Sequence, residues 1–239
     1  MNIILFENTE VEHPLARADA RARHVIEVLR LKEGDTFDAG LIDGPLGKGT
    51  LISEDDAFLS LSFEWTKPSP PLYPIHLLIG LPRPQTSRDI LRDLTTLGVA
   101  AIDFVRSEKG ESSYADSVLW KSDEWRKCVI NGATQAFSTY LPKITHRKSL
   151  AEALANLTAN TTKVALDNYE APGSLTEFYL PPLQPVTVAI GSERGWSASE
   201  RSALRAAAFD FAHLGTRVLR TETACVAAVT LVRSKLGLL

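Results

Sequence analysis

Val186-Thr-Val-Ala-Ile190 runs directly into Gly191-Ser-Glu-Arg-Gly195 and, one residue later, into Ser197-Ala-Ser-Glu200. Four of the first five residues are β-branched, and a short unbroken run of this kind reads as a strand buried on both faces, as in a parallel sheet. Ser197 and Glu200 have the spacing of a capping box, in which each side chain satisfies the other residue's orphan backbone N–H at the start of a helix. Strand, glycine turn and capped helix make half of a βαβ unit. The glycines then lie at the C-terminal end of a parallel strand, where open α/β sheets bind ligands. There they allow positive φ and a close approach of backbone to a nucleotide. By itself such a turn serves structure more often than ligand binding.

The same alternation extends in both directions. Apolar runs at Ile75–Gly80, Ala100–Val105, Lys163–Asp167 and Phe211–Leu214 are separated by helical patterns at Ser87–Leu97, Ser122–Ala136, Ser197–Ala208 and Glu222–Leu236. A second capping box starts at Ser149 and closes on Glu152. Strands alternating with helices of this length predict an α/β fold with a mostly parallel sheet. Upstream, Lys67-Pro68-Ser69-Pro70-Pro71-Leu72-Tyr73-Pro74 places four prolines in seven positions. Prolines at this density remove backbone donors and favour an extended linker. Before it, short β-like runs (Ile3–Phe6, Thr36–Ile42, Gly49–Ser53, Phe58–Phe63) surround one helical stretch, Arg17–Leu29, and suggest a small β-barrel. The reading is therefore a barrel at 1–67, a linker at 68–74 and an α/β domain at 75–239.

Composition narrows the function classes. The 239 residues are 44% hydrophobic, with a formal net charge of −3. No apolar run reaches the ~18 residues of a membrane helix, and the acidic N-terminus (Glu7, Glu10, Glu12) is unlike a secretory signal, so a cytoplasmic location is expected. Two cysteines, Cys128 and Cys225, exclude a disulfide framework, and five histidines without metal-ligand spacing predict no metal. Residues 1–67 carry 7 Lys/Arg against 13 Asp/Glu. Even so, Arg17, Arg21, Arg23, Arg30 and Lys32 face only Asp19 and Glu27 in their own window, which suggests a local basic patch. His76, in an apolar strand, reads as a satisfied core residue.

A second segment adds chemistry. Leu214-Gly215-Thr-Arg217-Val-Leu219-Arg220-Thr-Glu222-Thr223-Ala224 sets two arginines and a glutamate between a strand end and an apolar helix. An ion pair between Arg220 and Glu222, tying loop to helix, is the plain structural alternative. Together with Gly191–Gly195 and Ser197–Glu200, this segment closely resembles the RsmE-type 16S rRNA (uracil-N3)-methyltransferases of the trefoil-knotted SPOUT superfamily. The resemblance spans the chain. Arg23-His24 with Val28-Leu29-Arg30 is similar to an N-terminal family element, Asp43-Gly44 to a barrel turn, Leu97-Gly98-Val99 to the end of a catalytic-domain helix, and Gln135 with Pro142 to a mid-domain segment.

The resemblance implies a PUA-like, RNA-binding barrel before the linker and a knotted α/β domain after it, working as a homodimer on 16S rRNA or the small ribosomal subunit. S-adenosylmethionine would lie against Leu166 and Asp167, against Ile190, Gly191, Ser192, Glu193 and Gly195, and against Leu214, Gly215, Leu219 and Thr223. Methylating uracil N3 requires loss of its proton, and the resulting anion is favoured by cations beside its oxygens. Arg217 and Arg220 are the candidates for that role, with Glu222 positioning an arginine or relaying the proton. Arg21, Arg23, His24, Arg30, Arg83 and Arg88 form a candidate phosphate track. Five departures mark the chain as divergent: Ser192 replaces a proline, Arg194 a glycine and Asp167 a histidine, and Thr96 and Thr134 stand where glutamates are usual. A side chain at 194 predicts a strained or reshaped loop. These departures motivate two alternatives, an RNA-binding paralogue altered in catalysis and a methyltransferase with another RNA target. A nucleotide-dependent oxidoreductase fits poorly, because no GxGxxG follows the first strand.

Overall fold

The computed structural model describes residues 2–158, 160–182 and 184–239. The chain divides into two compact units. The first comprises the residues up to Pro71 together with Ala133–Leu141, and the second comprises Leu72–Gly132 and Pro142–Leu239.

In the first unit, β1 (Ile4–Phe6), β2 (Leu15–Ala16), β3 (Thr36–Leu41), β4 (Pro45–Glu54) and β5 (Phe58–Pro68) form one sheet in the order β1-β3-β4-β5-β2. Only β1 and β3 run parallel; the other pairs are antiparallel. β5 continues five residues beyond the apolar run that marked it in sequence: Trp65 carries on the alternation of Leu59, Leu61 and Phe63, and the register shift opposite Leu46/Gly47 comes only after it, while the shift at Leu51/Ser53 places its extra residue in β4. The sheet encloses Ile4, Phe6, Leu15, Phe37, Leu51 and Leu59. Ala133–Leu141 joins this unit through Thr139. Its hydroxyl donates to the Gly44 carbonyl at 2.6 Å, and its N–H donates to Ser69 Oγ at 3.1 Å.

The predicted helix at Arg17–Leu29 is shorter and irregular. Arg17 N donates to Ala57 O as a strand residue would, and Asp19 caps the helix by accepting from Arg21 N at 2.8 Å. One α-turn, α1 (Ala20–Arg23), then widens into a π-turn over His24–Val28. The basic patch expected here is smaller than the local sequence suggests. Arg17 pairs with Glu54, and Arg21 pairs with Glu10 and Asp19 at 2.7 and 2.8 Å while lying over the Phe6 ring.

The second unit carries β6 (Tyr73–Gly80), α2 (Pro84–Thr96), β7 (Val99–Val105), α3 (Val118–Lys121), α4 (Glu124–Gln135, whose last three residues belong to the first unit), β8 (Lys143–Thr145), α5 (Leu150–Ala155), β9 (Thr162–Leu166), β10 (Val186–Ile190), α6 (Ala198–Ala206), β11 (Asp210–Ala212) and α7 (Thr221–Lys235). Its strands form one sheet, β11-β9-β10-β6-β7-β8, and every pair is parallel. β10 lies between β9 and β6, and all five of its residues are buried, which explains its unbroken apolar reading. The edge strands β8 and β11 are three residues each, short enough to offer little unpaired edge. Both capping boxes form, at Ser149 and Ser197. His76 is held in the sheet by Asp103 at 3.1 Å, and Thr145 also donates to Asp103. The described residues include no helix long and apolar enough to cross a membrane and no group of side chains able to hold a metal.

Arg21 holds the carboxyls of Glu10 and Asp19 below their ordinary values of 4.5 and 3.8. Groups depressed in this way stabilise the fold fully above those ordinary values, and the stabilisation is lost as pH falls through the lowered ones. Arg21→Gln is expected to lower stability at pH 7 by about 1–2 kcal/mol, a figure reduced for solvent screening of partly exposed partners. It should also flatten the loss of stability below pH 4.5, as read from urea midpoints across pH.

Candidate functional site

Because the strands are parallel, the loops leaving β9, β10 and β11 emerge at the same edge of the sheet. They wall a cavity of about 560 Å³. The β9 loop contributes Leu166, Asp167, Asn168 and Tyr169. The β10 loop contributes Ile190–Gly195. Leu214, Arg217–Glu222 and Ala224 complete the wall, and Arg83 enters from the loop after β6. Of the predicted residues, Arg217, Arg220 and Glu222 meet here with Leu166, Asp167, Ile190, Gly191, Ser192, Glu193, Gly195, Leu214 and Leu219. Gly215 and Thr223 belong to the same segment without lining the cavity. Arg83, expected on the RNA track, lies in the cavity wall. Arg88 is occupied by Glu124 at 2.7 Å and Arg21 by its two carboxylates, whereas Arg23, His24 and Arg30 sit on or beside the π-turn of the first unit.

The β10 loop is tight for a steric reason. A Cβ on Gly80, at the end of β6, would come within 2.5 Å of Ser192 N, and one on Gly191 within 2.8 Å of Gly195 Cα. The left-handed position in the loop is Gly195, at φ 64°, and Arg194 is absent from the residues with positive φ. The expectation of strain at Arg194 is therefore corrected: the following glycine takes the turn, and Gly195 N closes it on Ser192 O at 2.8 Å. Ser192 is buried, and its hydroxyl meets Ser107 Oγ at 3.3 Å.

Neighbouring loops hold this wall in place. Glu193 accepts from Arg83 N at 3.0 Å, and Lys109 donates to the Trp196 carbonyl at 2.9 Å. Glu200, 4% exposed, accepts from both Ser197 N and Glu108 N, so the capping box is also a strut to the loop after β7. Under the β9 loop, Asp167 accepts from Tyr169 N and Glu170 N through one oxygen and from Arg201 Nε at 2.7 Å through the other. Carboxylate and guanidinium are both buried in this pair, so each supplies the neutralisation the other needs.

The cations facing the cavity differ in their commitments. The Arg220–Glu222 pair that would make this segment purely structural does not form. Arg194, Arg217 and Arg220 have no ion-pair partner among the described residues. α7 begins at the cavity with no side-chain cap on its first N–H groups. A concave site with unpaired guanidiniums, an uncapped helix start and buried apolar Leu166 and Ile190 suits an amphipathic, anion-bearing ligand. Sequence reading passed over Asn168, Tyr169 and Ala224. Their position just beyond strand ends was the available signal for the first two. Ser107, Lys109 and Arg201 carry no such local signal, since they act only across the fold.

A family described as RNA methyltransferase domain matches residues 68–233. A ribosomal RNA small subunit methyltransferase E of Treponema pallidum is 37% identical over 244 residues, covering 97% of this chain and 90% of its own. A ribosomal RNA small subunit methyltransferase E 1 of Borreliella burgdorferi is 28% identical, over 99% of both chains. Among solved structures, a ribosomal RNA small subunit methyltransferase E of Neisseria gonorrhoeae bound to S-adenosyl methionine superposes with a TM-score of 0.78 at 25% identity, covering 98% of this chain and 97% of that one.

Gly80→Ala tests the loop geometry. Its Cβ meets backbone, which cannot swing aside, so a destabilisation of about 1–3 kcal/mol is expected, with a displaced 191–195 loop. Chemical denaturation, with amide chemical shifts of residues 191–195, reads both; wild-type values in each would contradict the close approach.

Proposed function

The chain belongs to the ribosomal RNA small subunit methyltransferase E family of RNA methyltransferases, and on that premise we propose that it methylates N3 of a uridine in small-subunit rRNA, using S-adenosylmethionine. The observation that carries this reading is the convergence of three strand-end loops on one cavity that holds unpaired Arg217 and Arg220 beside Glu222. The cavity volume is that of sites for drug-sized ligands. Its donor set also fits the cofactor. Buried Leu166 and Ile190 offer apolar contact to an adenosine, Gly191 and Gly195 leave backbone unscreened, and the α7 N-terminus can receive a carboxylate.

When bound, the cofactor supplies an electrophilic methyl group. The protein's own residues supply the rest. Arg217 and Arg220 stabilise the negative charge that appears on the uracil oxygens as N3 loses its proton, and Glu222, which pairs with neither arginine, relays that proton. Because Arg220 is not neutralised by Glu222, its charge is available to the base. Asp167, Ser192, Glu193, Leu214 and Leu219 shape the cofactor's surroundings, with Gly215 and Thr223 supporting them. Arg23, His24 and Arg30, exposed or half-exposed at the π-turn, and Arg83 contribute phosphate contacts, and the first unit is a PUA-like RNA-binding module.

The strand order supports a trefoil knot. The chain goes from β10 past β9 to the edge at β11, then back to pack α7 on β10 and α2. We further infer a cytoplasmic homodimer from the family resemblance. Neither alternative reading gains an observation, since Ser192 and Arg194 are accommodated without strain.

Calorimetric titration with S-adenosylmethionine, followed by mass spectrometry of small-subunit rRNA treated with the protein, tests the proposal. Cofactor binding and one new N3-methyluridine are expected, and Arg220→Ala should lower the transfer rate by about 10²-fold or more while leaving cofactor affinity near wild type. Binding of cofactor without any methylated uridine would defeat the assignment.

A further inference from the structure

Tyr169 is 80% exposed, an unusual position for a large ring in the wall of a ligand cavity. It is nevertheless not loose. Its N–H donates to Asp167 Oδ1 at 2.7 Å, Asp167 Oδ2 accepts from Arg201 Nε at 2.7 Å, and the Arg201 guanidinium carbon lies 5.4 Å from the centre of the Tyr169 ring. Asp167 and Arg201 are 6% and 8% exposed, so the ring is backed by a cation that is itself anchored. A phenol ordered in this way has already lost much of the freedom that binding would otherwise cost, and its solvent-facing surface is ready to stack a planar ring.

The same cavity wall carries Arg194, Arg217 and Arg220, which have no ion-pair partners among the described residues, a setting that attracts a polyanion. Aromatic ring and unpaired arginines together match single-stranded nucleic acid, in which bases stack while phosphates are neutralised. The cofactor's adenine offers the same ring chemistry. However, Leu166 and Ile190, 9% and 4% exposed, are the buried apolar wall, whereas Tyr169 stands at the solvent-exposed rim. The rim is where a strand that is too large to enter must lie.

We propose that Tyr169 is a stacking platform for a base of the RNA substrate at the mouth of the cavity, with Asp167 and Arg201 as its positioning residues. The inference rests on the methyltransferase reading of the site. It also gives a reason for Asp167, whose carboxylate holds both the loop and the cation behind the ring.

The test uses the full chain with Tyr169→Ala and Tyr169→Phe, a small-subunit rRNA transcript for filter binding and methyl-transfer kinetics, and S-adenosylmethionine for calorimetry. Tyr169→Ala should weaken RNA binding and raise KM for RNA about tenfold. Tyr169→Phe, which keeps the ring, should restore both. Cofactor affinity and thermal midpoint should match wild type in each variant. Unchanged RNA binding in Tyr169→Ala overturns the proposal. So does a loss of cofactor affinity with RNA binding intact, which would assign the ring to adenine. A wild-type protein that binds the transcript without methylating it would remove the functional reading alone, leaving the variants' RNA affinities to decide on the platform.

Discussion

Everything at the site follows from β10 being a parallel strand with a parallel neighbour on each side. Register ties Ile190 to Ile79 on one flank and to Leu166 on the other, so three strands end level with one another. Parallel strands cannot be joined by tight hairpins, and each must be followed by a loop and a crossover. The sheet therefore delivers Leu166–Tyr169, Ile190–Gly195 and, by way of β11, Leu214–Glu222 to a single edge. Gly80 makes the arrangement compact, because only a residue without a side chain lets the Ser192 backbone come so near the end of β6.

Loops gathered at a strand edge still need to be held. Here the supports are carboxylates with several donors each. Glu200 serves its own helix cap and the loop after β7, and Asp167 serves two backbone N–H groups and Arg201. Buried carboxylates are costly without such partners, and removing one partner would strand the other charge. These contacts tie the loops beneath the cavity and leave its outermost groups, Arg194, Arg217, Tyr169 and Val218, open to solvent. Rigid support beneath exposed reactive groups is the arrangement that lets binding proceed without reordering the protein.

Net charge says little about where such a protein meets nucleic acid; the pairing of individual arginines says more. Arg17, Arg21, Arg88 and Arg201 are all engaged with carboxylates, and most of those partners lie more than ten residues away in sequence. Arg217 and Arg220 pair with no carboxylate among the described residues, and their guanidiniums remain available to an incoming anion.

Much of the α/β unit was legible in the sequence because its signals are local. Apolar runs marked β6, β9 and β10, the capping boxes at Ser149 and Ser197 marked two helix starts, and the glycines of 191–195 marked a turn at a strand end. Arg217, Arg220 and Glu222 could be picked out for the same reason, as chemistry concentrated beside another strand end, and family resemblance sharpened their roles. In the first unit the reading stopped short where β5 runs on through Trp65 into a bulge, and it failed where Asp19 delayed the helix. The sequence by itself thus determined the elements, the turn and the candidate chemistry. Only the tertiary structure decided that Gly195 rather than Arg194 takes the left-handed turn, that Ala133–Leu141 belongs with the first unit, that Arg21 is spent on Glu10, and that Asp167 and Arg201 steady Tyr169. Each of those depends on atoms brought together from distant parts of the chain, and the energy of such contacts is not written in any single window of residues.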